Sequence, residues 1–344
     1  MARDLRIDDD AGPSRARPDG RTAQATPDPG ARGPHPVGVI QLEVTASDAP
    51  HEIDRRLPTE VWYPAAPGQE ERAAAPHPLD QPHRASPELS PLRNGARALL
   101  AFSHGNSGMR QQSTFLMTHL ASWGFVVAAP DHLGNTFNDM IRLESDEARR
   151  EAHLRARRQR PGDLQAVLRS LLDEEIGADL LPPLDATRVG VLGHSFGGWT
   201  ALKLPALEPR VGAACALAPA SEPFIGRRAF DGGELPLPER VATLLLAARD
   251  DVLVDLATSI EPLHERLGPH ARLEVIDAAD HFHFCDGLEL LHELHENTPR
   301  PNLQKPVRPG RELRGETEMH DLLNERVTRF FWEALFANDS RSRS

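Results

Sequence analysis

Arg188-Val189-Gly190-Val191-Leu192-Gly193-His194-Ser195-Phe196-Gly197-Gly198-Trp199 decides how this chain is to be read. The apolar run Arg188–Leu192 reads as a buried strand, and Phe196–Leu204 reads as a helix. Between them one serine stands in a turn with glycine on both sides. A serine hydroxyl is a weak nucleophile and needs exposure beside a base. A sharp strand-to-helix turn supplies the exposure, and small flanking residues let the backbone fold tightly around it. The new helix also points its first N–H groups at any negative charge that develops there. Ser195 is therefore the candidate nucleophile.

Such a serine needs a histidine and an acid, and on this kind of scaffold they follow in the order serine, acid, histidine. The apolar strand Val241–Ala247 is followed by Arg249-Asp250-Asp251-Val252-Leu253-Val254-Asp255. Asp251 is the preferred acid, with Asp250 as its rival. Either carboxylate has the chemistry to accept from an imidazole N–H, fix its tautomer and stabilise the imidazolium. After the next strand, Leu273–Ile276, comes Ala278-Ala279-Asp280-His281-Phe282-His283-Phe284. His281 is the candidate general base and His283 the alternative. An oxyanion needs preset backbone donors. One is the Phe196 N–H; the other is assigned to Asn106, in the loop Ser103-His104-Gly105-Asn106-Ser107-Gly108 that follows the strand Ala98–Phe102.

Outward from this centre the chain alternates strands and helices. Val37–Thr45 and Glu60–Pro64 read as strands joined through a hairpin connection at Pro50–Leu57, and Ala65–Gly95 as a long Pro-rich surface insertion. Gln112–Trp123 reads as a helix, Phe125–Ala129 as a strand, and Asp139–Gln159 as a charged helix. Pro161 is placed at the first turn of another helix. Val211–Leu217 is a further strand, and Glu318–Phe336 a closing amphipathic helix. This alternation predicts an α/β fold, a mostly parallel sheet with helices on both faces. It forms one catalytic domain over 37–337. Residues 1–36 and 338–344 are expected to be disordered tails, the first being rich in Asp, Arg, Pro and Gly.

The 344 residues carry a net charge of −12, with 39% hydrophobic and 26% charged residues. An acidic chain is a poor match for phosphate backbones, so no nucleic-acid partner is expected. The one basic run, Arg149–Arg160, reads as a solvated helix face. Two cysteines make no disulfide framework, and Cys215, in an apolar run, reads as a buried thiol. No apolar stretch suits a secretion signal or a membrane span, so the expected location is the cytoplasm. The sequence does not speak to oligomeric state. No metal site is expected: His281 and His283 point to opposite sides if extended, and His292 and His295 lie on a charged helix. HExxH and paired CxxC spacings are missing from the sequence.

Several segments together resemble one known group. They are Leu57–Pro64 (LPTEVWYP), Phe102–Gly105 (FSHG), Leu120–His132 (LASWGFVVAAPDH), Arg160–Leu164 (RPGDL), Gly193–Gly198 (GHSFGG) and His281-Phe282. They are similar to the platelet-activating-factor acetylhydrolase and dienelactone-hydrolase-related group of α/β-hydrolases, which also contains cutinase-like polyester hydrolases. The likeness covers about Val37 to Phe336. It implies the α/β-hydrolase fold and hydrolysis of carboxylic esters, of small molecules or lipids, with no cofactor. The chain departs from two namesakes. Animal platelet-activating-factor acetylhydrolases carry the acid at the end of the strand after the nucleophile helix, where this chain has Ala216-Leu217-Ala218-Pro219. Dienelactone hydrolases use cysteine where Ser195 stands. The expectation is a generic bacterial-type serine esterase, with a phospholipid or polyester hydrolase and a catalytically inactive binding scaffold as alternatives.

Overall fold

Four apolar runs form the middle of the molecule because each can be buried on both faces. They become β4 (Arg97–Ser103), β5 (Val126–Pro130), β7 (Val211–Leu217) and β8 (Ala242–Ala248). With β1 (Val37–Ala46), β2 (Arg55–Pro64), β3 (Ser86–Pro87), β6 (Leu184–His194) and β9 (Ala271–Ile276) they make one nine-stranded sheet. Its order is β3-β1-β2-β5-β4-β6-β7-β8-β9. The computed structural model describes residues 28–47, 54–72, 83–298, 303 and 305–341. From β5 to β9 all pairing is parallel. At one end β1 and β2 form a ten-residue antiparallel hairpin, from Val37 opposite Pro64 to Ala46 opposite Arg55, and β2 joins β5 antiparallel.

Successive strand side chains point to opposite faces. Leu99 and Ala101 thus belong to one core layer and Leu100 and Phe102 to the other. The first layer is covered by α3 (Asp146–Leu172), α4 (Phe196–Leu207) and α6 (Glu261–Leu267), through side chains such as Leu164, Trp199 and Leu263. The second is covered by α1 (Thr114–Ser122) and α8 (Glu316–Arg341), through Leu116, Leu120, Leu323 and Phe331. The short helices α2 (Phe137–Met140) and α5 (Glu222–Ile225), and α7 (Leu288–Asn297), sit on loops at the carboxyl edge of the strands. This is the α/β-hydrolase fold. Among the described residues no helix is long and apolar enough to cross a membrane.

The structure revises several boundaries. Strand β2 begins at Arg55, which shortens the expected connection Pro50–Leu57; residues 50–53 lie outside the described ones. Pro161 does not start a helix but lies inside α3, which is capped at Ser145. A proline there removes one helical hydrogen bond. Ala156, Arg160, Leu164, Val167, Leu168 and Leu171 nonetheless continue one buried face on both sides of it, so burial against the sheet holds the helix together. The basic run ending at Arg160 is a solvated face apart from Arg157, which is half-buried against the Arg228 carbonyl, and its last member. Arg149, Arg150, Arg155 and Arg158 are exposed, whereas Arg160 is fully buried because its guanidinium meets main-chain carbonyls.

Most of the expected tail, residues 1–27, lies outside the described residues. Its end is docked: Gly33 N–H donates to Ser122 Oγ at 2.9 Å and the Trp123 indole N–H to the Ala31 carbonyl at 3.0 Å. The end of α1 offers polar partners that sequence composition does not reveal. Helix α8 likewise runs past 337, as far as Arg341.

Candidate active site

Strand β6 ends at His194, α4 begins at Phe196, and Ser195 between them is forced to φ +56°, ψ −118°. A non-glycine residue in that region is strained, and the surroundings must hold it. The Ser195 N–H donates to Leu217 O at 2.8 Å, and its carbonyl accepts from Ala220 N at 2.9 Å and Trp199 N at 3.2 Å. Glycine is required on both sides: a Cβ on Gly193 would collide with the Gly197 carbonyl, and one on Gly197 with the Ser103 carbonyl.

Ser195 Oγ lies 2.9 Å from His281 Nε2, and His281 Nδ1 lies 2.7 Å from Asp251 Oδ2. All three side chains are buried. The other Asp251 oxygen accepts from the Leu253 and Val254 amides, both at 2.8 Å, which fixes the carboxylate in its turn after β8. The rivals fall elsewhere. Asp250 turns outward to Arg308, 3.2 Å away. His283 turns to the Asp280 carboxylate, 2.7 Å away, and to the Arg314 carbonyl.

The loop after β4 leans on the nucleophile, with a Cβ built on Gly105 falling 3.6 Å from Ser195 Cβ. The Gly105 N–H is already given to Gln112 Oε1 at 2.8 Å. The amides of Asn106 and Phe196 donate to nothing among the described residues, so both remain available to an oxyanion. Two further residues tie this loop to the base. Gln112 Nε2 donates to His194 Nδ1 at 2.9 Å, and His194 Nε2 donates to the His281 carbonyl at 2.9 Å. That pattern needs a neutral His194; burial, reinforced by the neighbouring His281 imidazole, pushes its pKa well below the ordinary histidine value. Sequence reading gave Gln112 no role, and it took Arg160 only as the end of a solvated basic face and as part of the RPGDL segment, with no part in the site.

Asp280, His283 and His292 come together, although the sequence suggested no such cluster. The reason is local: 281–284 is a 3-10 turn rather than an extended segment, and α7 folds back over it. Asp280 sits between the two imidazoles, 2.7 Å from His283 Nδ1 and 2.5 Å from His292 Nδ1. Among the described residues these three are the buried donors that could reach one metal ion. As arranged they form an imidazole–carboxylate–imidazole cluster that holds the Asp280 carboxyl far below the usual carboxylate range, against the opposing effect of its burial.

The cavity beside Ser195 measures about 350 Å³, and its walls include Met109, Phe137, Phe224, Leu253, Leu290 and Leu294. Several of these form an exposed apolar rim: Phe137 is 50% exposed, Leu290 61% and Leu294 56%.

Fold and site together define an α/β-hydrolase with a serine at the nucleophile elbow. Its structure superposes on a ferulic acid esterase from Streptomyces cinnamoneus with a TM-score of 0.64 at 24% identity, covering 88% of this chain and 91% of that one, which shows the shared fold. The PET hydrolase-like family model matches residues 94–292, and the chain belongs to that family. Among characterised relatives, Cutinase 1 of Thermobifida cellulosilytica is 26% identical over 195 residues, covering 56% of this chain and 63% of the cutinase. Platelet-activating factor acetylhydrolase of Cavia porcellus is 29% identical over 160 residues, covering 38% of this chain and 37% of the relative. The chain thus spans less than two thirds of the length of these relatives.

Proposed function

We propose that the protein is a serine carboxylic-ester hydrolase working through an acyl-enzyme. The observation that carries this reading is the chain of contacts Ser195–His281–Asp251, at 2.9 and 2.7 Å, opening on an apolar cavity. His281 Nε2 takes the Ser195 proton as Oγ attacks the ester carbonyl, while Asp251 holds Nδ1–H and stabilises the imidazolium. The Asn106 and Phe196 amides receive the oxyanion. His281 then protonates the leaving alcohol, and water, activated by the same imidazole, releases the acid.

The apolar rim supports esters with large hydrophobic groups, and the cutinase and platelet-activating factor acetylhydrolase relatives support water-insoluble esters as the substrate class. Ser195→Ala, assayed on p-nitrophenyl butyrate, is expected to lose about 10⁴-fold or more in kcat. A fluorophosphonate should label wild type at Ser195 and leave that variant unlabelled. An unlabelled wild type would favour the binding-scaffold alternative.

A further inference from the structure

Arg160 is fully buried in the middle of α3, on the far side of the oxyanion loop from solvent. Burial pushes its pKa down to about 9, with the nearby Asp163 carboxylate opposing, so it remains a cation near neutral pH. All three guanidinium nitrogens are engaged. Nη1 donates to the His104 carbonyl at 2.5 Å, Nη2 to the Gly105 carbonyl at 2.8 Å, and Nε to Asn135 Oδ1 at 3.0 Å. Asn135 passes the contact on, its Nδ2 donating to Asn106 Oδ1 at 2.9 Å. Behind the loop, Ser103 Oγ lies 2.8 Å from His132 Nε2, and His132 Nδ1 lies 2.8 Å from Asp163 Oδ2. Asp163 also accepts from Arg55 at 2.6 Å. A burial this complete is costly for a cation unless every donor has a purpose.

A trans peptide unit holds its C=O and N–H antiparallel. When the Gly105 carbonyl is drawn back onto Arg160, the N–H of the same peptide unit, that of Asn106, is turned the opposite way. We propose that Arg160 is a positioning residue, whose planar fork holds the His104 and Gly105 carbonyls so that the Asn106 amide is set toward the oxyanion. Asn135 is the second strut, fixing the Asn106 side chain to the same guanidinium. This inference rests on the esterase reading and adds to it a role for two buried side chains that never touch substrate.

His104 Nδ1, at 2.7 Å, and the Gly108 N–H, at 3.2 Å, also reach the Gly105 carbonyl, but only the Arg160 fork spans the His104 and Gly105 carbonyls together, and two carbonyls at fixed separation need two coplanar donors rather than a bare charge. Arg160→Lys keeps the charge and loses the fork. It is expected to lower kcat on p-nitrophenyl butyrate about 10- to 100-fold, the scale of a misplaced group and less than the roughly 10²–10³ lost when an oxyanion donor is removed outright, while KM stays within about threefold. Affinity for n-butylboronic acid, which forms a tetrahedral adduct on the nucleophile, should fall by a similar factor. Asn135→Ala should lower the same two quantities about 5- to 10-fold.

Arg160→Lys with wild-type kcat and boronate affinity overturns the proposal. So does a variant whose melting temperature falls while kcat per folded molecule is unchanged. If Arg160→Lys does not fold, an Asn135→Ala protein with unchanged kcat and boronate affinity overturns it instead. Ser195→Ala run alongside separates the two readings. Retained turnover in that variant removes the Ser195 acyl-enzyme reading itself, whereas its loss beside Arg160→Lys and Asn135→Ala proteins that behave as wild type removes only this one.

Discussion

Replacing Asp251 by asparagine changes one atom and no volume, and the structure says which way the new amide must lie. Asp251 Oδ1 accepts from the Leu253 and Val254 amides, both at 2.8 Å. A flipped asparagine would set its NH₂ against those two N–H groups, losing two hydrogen bonds at about 1–3 kcal/mol each. The amide oxygen therefore stays in the turn, and NH₂ faces His281 Nδ1, where the carboxylate stood 2.7 Å away. Nδ1 must then accept, the proton moves to Nε2, and Nε2–H faces Ser195 Oγ at 2.9 Å. In that tautomer the imidazole has no lone pair for the serine proton.

The expected loss in kcat is about 10⁴-fold, the cost of a wrong tautomer in such a triad, or about 5.5 kcal/mol of transition-state stabilisation. Because the turn's hydrogen bonds survive, the melting temperature should move little. The assay is kcat on p-nitrophenyl butyrate for Asp251→Asn beside Asp250→Asn, whose side chain faces Arg308 at the surface. The reasoning is refuted if Asp251→Asn stays within tenfold of wild type, or if Asp250→Asn is the variant that dies.

Gly197→Ala places a methyl against the Ser103 carbonyl. It should destabilise the protein by about 1–3 kcal/mol or more, read as a lower melting temperature together with lower kcat. The Glu208 carboxyl is held below its ordinary value of 4.5, chiefly by its hydrogen bonds to Arg210. A depressed folded-state pKa gives stability that is fully present above about 4.5 and is lost as pH falls below it. The gap in melting temperature between wild type and Glu208→Gln should therefore shrink on going from pH 6 to pH 3.5; a gap independent of pH would count against the pairing. Burial pushes the Cys215 and Cys285 thiols up, beyond the ordinary thiol range. A thiol reagent such as Ellman's should titrate neither in the native protein and both in denaturant; rapid native reaction at Cys285, which lies in the wall of the cavity beside Ser195, would show that this wall opens.

The parts of the site that could be read in advance sit at strand ends. Ser195, Asp251 and His281 each follow an apolar run whose period marks it as a strand, and parallel strands deliver their carboxyl ends to one edge of the sheet. Asn106 is assigned to the oxyanion by the same logic, as part of the proposal. What could not be read came from elements whose sequences look ordinary. Arg160 ends a run of exposed arginines, and only the helix period, continued through Pro161, turns it inward. His283 and His292 are nine residues apart and looked unrelated until a 3-10 turn and α7 brought them onto one carboxylate.

The sequence by itself determined the strand–helix alternation, the nucleophile elbow and the order of serine, acid and base, because these follow from local patterning and short turns. Only the tertiary structure shows that Asp251, and not Asp250, lies against His281, that His281, and not His283, lies against Ser195, and that Arg160 turns from water to the His104 and Gly105 carbonyls. Neighbours in sequence share the same local signals, so which of them reaches a distant partner depends on turn geometry and on burial against elements far along the chain.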